Sequence, residues 1–200
     1  MTMVTSAEFW SPAALREKTK SPFELAISAV RGLDAEIIQP YQLFNWINRM
    51  GQKMYYYQAP TGFPDRGQYW INTGSLLNRM NFGLALAAQR IPGLKVNLPA
   101  LNNHHEPEST EAALLIYSKI IMPERNLTET IKRLKPMLND PSLSTKVADA
   151  ADKTSLQQEQ SMVGEQVAPV KPVAKATVNN NAMLAQVVGV IIGSPEFQRK

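Results

Sequence analysis

Three places in this 200-residue chain hold residue types that could do chemistry. The first is the stretch from Gln52 to Trp70, where Tyr55-Tyr56-Tyr57 precedes Pro60, Gly62, Pro64 and Asp65, with Tyr69 and Trp70 behind. Three consecutive tyrosines cannot all turn into one core, so at least one ring is expected at the surface, beside turns that Pro and Gly fix. Exposed rings on a loop held by a rigid scaffold make a platform for a carbohydrate or a peptide. The alternative is that the rings pack beneath the loop while Asp65 caps a short helix reaching Trp70. The second place is Arg79, whose five donors could clamp a carboxylate or phosphate, or pair with a structural acid such as Asp65 or Glu24. The third is His104-His105-Glu106, which holds both histidines of the chain. Neighbouring residues are about 100° apart on a helix and point oppositely in a strand, so they do not converge as i, i+4 ligands do. No metal site is expected there, and the trio reads as solvated loop.

The sequence offers no other catalytic signature. It has no G-x-S-x-G elbow, no P-loop, no G-x-G-x-x-G and no cysteine. No catalytic residue is assigned and no cofactor is expected. Two functional readings stand against each other. One is a non-catalytic module that binds a partner through the Gln52–Trp70 loop, with Tyr55, Tyr56, Tyr57, Pro60, Gly62, Asp65, Trp70 and Arg79 as the candidate residues. The other is a hydrolase acting on a glycan or ester through Asp65, Arg79 and His104. A pocket joining those three side chains would favour the enzyme.

Something must position these residues, and the composition suits a folded chain: 44% hydrophobic and 19% charged. The longest apolar run, Val187 to Ile192, is far below the roughly 18 residues of a membrane span, so none is expected. Residues 1–30 show no cationic stretch followed by an apolar core and a cleavage site. Residues 1–100 hold ten Lys/Arg against six Asp/Glu, while residues 101–200 hold eleven of each. The cations of the first half are spread out rather than clustered on one face, and nucleic acid is not an expected partner.

Helix signals are frequent. Ser11-Pro12 and Ser21-Pro22-Phe23-Glu24 each offer a cap followed by proline, the second with a capping box. After it, Phe23, Ala26, Ile27 and Val30 form a stripe that ends near Gly32. Pro40 opens a helix with Leu43, Phe44, Ile47 and Met50 inward, stopped by Gly51. Thr73 caps another to about Arg90, with Leu76, Leu77, Met80, Leu84 and Ala87 inward, stopped by Pro92-Gly93. Gly83 inside it implies close approach by a neighbouring helix. Helices follow at 109–121 (Ala112, Leu115, Ile116, Ile120) and 128–139 (Ile131, Leu134, Leu138), the latter kinked or shortened by Pro136. The last, 182–193, is apolar all round and should be buried, although its Val/Ile content also permits a strand.

The expected fold is therefore all-α, an irregular bundle of six or seven helices. Thirteen of the fifteen aromatic residues lie between Phe9 and Phe82, so the core should be built mostly from the first half. Residues 141–181 carry no aromatic and read as a flexible linker, with a marginal helix allowed from Leu143 to Met162. The domain reading is a helical core over 6–139, that linker, and a C-terminal helix and turn over 182–200 that dock on the core. Ser6-Ala7-Glu8-Phe9 and Ser194-Pro195-Glu196-Phe197 are near copies. Each can be a turn in which Ser caps and Phe anchors, and an internal duplication is the alternative.

The block Ser6-Ala7-Glu8-Phe9-Trp10-Ser11-Pro12-Ala13-Ala14 with Lys18-Thr19-Lys20-Ser21-Pro22-Phe23-Glu24 resembles one of the bacterial domain-of-unknown-function 1800 family. Gly51-Gln52, Pro60-Thr61-Gly62-Phe63-Pro64-Asp65, Trp70, Leu76-Leu77-Asn78-Arg79 and Phe82 are similar to its second block, and Ile192-Gly193-Ser194-Pro195-Glu196-Phe197-Gln198 to its C-terminal signature. The resemblance covers residues 6–90 and 182–200 well and 109–139 loosely. It implies correspondence to the C-terminal part of a longer protein, so that the chain would be a fragment, a split product or a degenerate copy, with the missing N-terminal half as a candidate partner. It implies an extracytoplasmic setting too, with a protein or an extracellular polymer as partner. It implies no activity.

Overall fold

The structure, a computed structural model, describes residues 3–11, 17–123, 125, 127–138 and 180–200. All but the last two residues of the expected linker lie outside these, as does the helix expected to follow Ser11-Pro12.

Helix α1 (Pro22–Gly32) starts on a complete capping box. The Ser21 hydroxyl accepts from the Glu24 N–H at 3.3 Å, and the Glu24 carboxylate accepts from the Ser21 N–H at 2.9 Å. Two orphan donors of the first turn are thereby satisfied. At the far end Asp34, not Gly32, takes the left-handed conformation (φ 47°), one that Asp tolerates better than most residues. Helix α2 (Tyr41–Arg49) buries Leu43, Trp46 and Ile47, and Gly51 at φ 103° turns the chain away from it. A 3-10 turn spans Gly67–Trp70. Helix α3 (Thr73–Ala87) is capped by Asn72 rather than Thr73, because Ser75 at the third position returns the hydrogen bond to the Asn72 N–H. Helices α4 (Leu98–Leu101), α5 (Thr110–Ile121), α6 (Thr128–Leu138) and α7 (Asn180–Gly193) complete the set. The short α4 carries no strong sequence signal beyond its Asn97 cap and Pro99. Helix α6 runs through Pro136 to Leu138; so near the end, few intrahelical bonds remain for a proline to break.

The fold is mostly helical, as expected, with one small addition. Strands β1 (Glu36–Ile37) and β2 (Leu94–Lys95) pair antiparallel, Glu36 opposite Lys95 and Ile37 opposite Leu94. Two-residue strands show no readable alternation, which is why the sequence hides them.

Helix α7 is a helix rather than a strand and lies against α3, α4, α5 and α6. Val187, Val188, Ile191 and Ile192 are fully enclosed. Tertiary burial overrides the modest helix propensity of these β-branched residues. Most of the buried apolar side chains among the described residues come from the first half, as expected, though more of them are aliphatic than aromatic, and α7 completes the core. Trp46, Trp70 and Phe82 are buried, but Phe9, Trp10, Tyr41, Tyr55, Tyr56, Tyr57 and Tyr69 are exposed.

Several inward faces also differ from the expected stripes. Helix α1 buries Leu25, Ala26, Ala29 and Val30 and leaves Phe23 exposed. Helix α5 buries Ala113, Leu114, Tyr117 and Ser118 and turns Leu115 outward. Helix α3 buries Leu84 and Ala87 as expected, together with Ser75, Arg79, Phe82, Gly83 and Leu86, but leaves Leu76, Leu77 and Met80 exposed. The face of α3 is chosen by close approach to α7, which small residues permit and large ones forbid. Gly83 stands at that crossing, as its mid-helix position implied.

Candidate functional site

The Gln52–Trp70 loop is pinned at its base and open at its tip. The Tyr57 ring lies 4.7 Å from Phe63, and Phe63 lies 5.8 Å from the buried Trp70, both pairs tilted by 41°. This ladder of offset rings ties the loop to the core. Gly67 presses on the segment before α1, and a β-carbon there would stand 2.7 Å from Thr19 Cβ. At the tip Tyr55 is 95% exposed, Tyr56 67% and Tyr69 62%. The Lys53 ammonium sits 4.1 Å over the Tyr56 ring. Tyr55 holds φ at 65°, a left-handed conformation that costs a bulky residue of order 1–3 kcal/mol.

The other candidate residues separate. Pro60, Gly62 and Asp65 are exposed. Asp65 does not cap the turn reaching Trp70, whose cap position is Arg66 with no side-chain bond. Trp70 supports the loop from inside rather than being presented.

Arg79 is wholly buried, 0% exposed, and one Nη donates to the Lys20 carbonyl at 2.9 Å. Neither Asp65 nor Glu24 pairs with it: Glu24 is bonded to the Ser21 N–H and to the Lys200 ammonium. Its Nε and second Nη have no partner, and burial draws its pKa down to about 10. His104 is exposed and left-handed (φ 59°) in the turn after α4. No hydrogen bond or ion pair joins Asp65, Arg79 and His104 among the described residues, so the geometry gives the hydrolase reading no support. Among the described residues no three His, Asp or Glu side chains gather as metal ligands, and no helix is long and apolar enough to cross a membrane.

A groove of about 410 Å3, with no signal in the sequence, lies between α3, α6 and α7. Ile71, Leu76, Met80 and Leu84 line it from one side, and Leu134, Gly189, Val190 and Gly193 from α6 and α7. Thr19, Arg133, Gln198 and Arg199 form its polar edge. Arg133 is paired with Glu196 at 2.8 Å. Leu76 and Met80, expected to face the core, line this groove instead.

Fold and sites together define a mostly helical protein with an open aromatic loop and, apart from it, an apolar groove beside its last helix. No curated protein and no solved structure matches the chain. The chain belongs to the family described as protein of unknown function (DUF1800), whose model matches residues 1–199. The match also takes in residues 91–108 and 140–181, which lie outside the motif blocks.

Proposed function

We propose that this protein is a non-catalytic binding or scaffold module of an exported bacterial system, with the tyrosine loop as its contact face. The observation that supports this reading is the exposure of Tyr55, Tyr56 and Tyr69 on a loop whose base is locked by the Tyr57, Phe63 and Trp70 rings. Tyrosine supplies a large, amphipathic contact surface with little rotamer entropy to lose. Leaving three such rings in water has a solubility cost that a partner surface relieves. The ligand is a protein or an extracellular polymer, either of which can stack on flat rings. Trp70 and Arg79 act from beneath, as support.

The test is retention on immobilised polysaccharides, and capture of partners from the producing cell, by the chain and by a variant with Tyr55, Tyr56 and Tyr69 replaced by Ala. Those residues are exposed, so the variant should fold. Binding should fall at least about tenfold, as loss of hot-spot aromatics does. Unchanged retention and capture would overturn the reading.

A further inference from the structure

We propose that the groove between α3, α6 and α7 binds a single-chain amphiphile with an anionic head, of the fatty-acid carboxylate kind. Its chain would lie on Leu76, Met80, Leu84 and Leu134, and its head at Arg199. This site is separate from the tyrosine loop and does not depend on it.

Helix α3 is apolar on more than one side. One is consumed by α7. The edge carrying Leu76 and Met80, each more than a third exposed, borders a gap that α6 and α7 close only in part. Gly189, Val190 and Gly193 of α7 and Leu134 of α6 complete the lining. A volume of about 410 Å3 falls within the roughly 300–1,000 Å3 of small-molecule sites, and the mostly apolar lining with a few polar groups at one end matches their usual build.

The charge at the edge selects the head group. Arg133 is already neutralised by Glu196. Arg199 has no carboxylate partner among the described residues, and its backbone is fixed. Thr19 and Arg199 form a β-bridge, the Lys20 N–H donates to the Gln198 carbonyl at 2.8 Å, and the Lys200 N–H donates to the Lys18 carbonyl at 2.8 Å. Arg125 donates to the Arg199 carbonyl at 2.6 Å, a further tie on that backbone. Lys20 lies near this corner too, while Lys200 is paired with Glu24. An apolar trough with a cationic lip attracts an anion with a hydrocarbon tail over a neutral or cationic one.

The experiment is calorimetric titration with octanoate, decanoate and dodecanoate below their micelle concentrations, with decanol and decyltrimethylammonium as neutral and cationic counterparts. Affinity should rise about fourfold per added methylene until the trough is full. Decanoate should bind more tightly than either counterpart. Arg199→Gln should weaken decanoate about tenfold and leave decanol unchanged, as loss of one charge-assisted contact would. Met80→Trp, which fills the trough, should weaken both at least tenfold. Leu76→Trp repeats that test should Met80→Trp fail to keep the native melting midpoint. Failure of wild-type protein to saturate with dodecanoate would overturn the proposal. So would trough-filling variants that bind normally, or an Arg199→Gln variant that treats decanoate as wild type does.

Discussion

Gly83 of α3 and Gly189 of α7 face each other where the two helices cross, so closely that a β-carbon on Gly83 would stand 3.0 Å from the Gly189 carbonyl oxygen. One on Gly189 would stand 3.0 Å from Leu84 Cα. Alanine would gain each helix about 1 kcal/mol of intrinsic propensity, but overpacking a close-packed crossing costs about 1–3 kcal/mol. Gly83→Ala and Gly189→Ala should each lower stability, by up to about 2 kcal/mol net. Gly74→Ala has only Asn72 Oδ1 near it, at 3.5 Å, and should instead stabilise by about 0.5–1 kcal/mol. Urea unfolding measures all three. Crossing variants as stable as Gly74→Ala would show that the helices do not meet this tightly.

That crossing also explains what could be read in advance. Caps are local, so Ser21 with Glu24, and Ser109 before α5, are written in a few adjacent residues. Gly83 announced a close neighbour without naming it. Which face of α3 turns inward depends on α7, about a hundred residues later, and hydrophobicity alone assigned Leu76 and Met80 to the wrong side. The groove combines Leu76, Leu134 and Val190 from three distant segments, so no window of sequence contains it. The tyrosine loop was legible because three adjacent rings cannot all be buried. Its Phe63–Trp70 anchor was not, since stacking between those rings depends on how the turns between them fold.

Arg79 presents a buried charge with one carbonyl partner and, among the described residues, two nitrogens without one. Each unsatisfied buried donor costs about 1–3 kcal/mol, against a hydrogen bond to the Lys20 carbonyl of about 1 kcal/mol. Replacing such a group by an apolar side chain of similar volume is often stabilising. Arg79→Met should therefore hold or raise the unfolding free energy, by up to about 2 kcal/mol. Arg79→Ala should lower it by about 2–5 kcal/mol through the cavity it leaves. Guanidinium chloride unfolding separates the two cases. Equal losses in both variants would show that the charge itself is stabilising.

Lys20 makes stability depend on alkaline pH. Its pKa falls from 10.5 to about 8, first through burial, with Arg125 and Lys200 pushing the same way and Glu24 opposing. The unfolded chain therefore holds this proton more firmly than the folded one. Stability contributed by this site rises with pH between about 8 and 10.5. Lys20→Met keeps the aliphatic stem beside Phe197, over which the ammonium now sits at 4.1 Å. Melting midpoints measured across that range should converge, wild type gaining on Lys20→Met as the solution becomes more alkaline. Parallel curves would contradict the shift.

Glu24 works in the opposite direction and at the other end of the scale. Burial alone would raise its pKa, but hydrogen bonds from the Lys200 ammonium and the Ser21 N–H outweigh that and hold it below the usual 4.5. A depressed carboxylate contributes stability above that ordinary value and loses it as pH falls through the folded one. Wild type should therefore weaken below about pH 4.5, and Glu24→Gln should weaken less there while starting from lower stability at neutral pH. Ser21→Ala removes the other half of the capping box and should cost about 1 kcal/mol, as loss of a serine cap does. Because the Ser21 backbone N–H still reaches Glu24 in that variant, its acid sensitivity should persist. Lys200→Met should reduce it, since the ammonium is the first of the groups that hold the carboxylate ionised. Thermal unfolding of the four proteins from about pH 3 to 7 checks the set, and a Lys200→Met variant with the full wild-type acid slope would assign the effect to the helix cap alone.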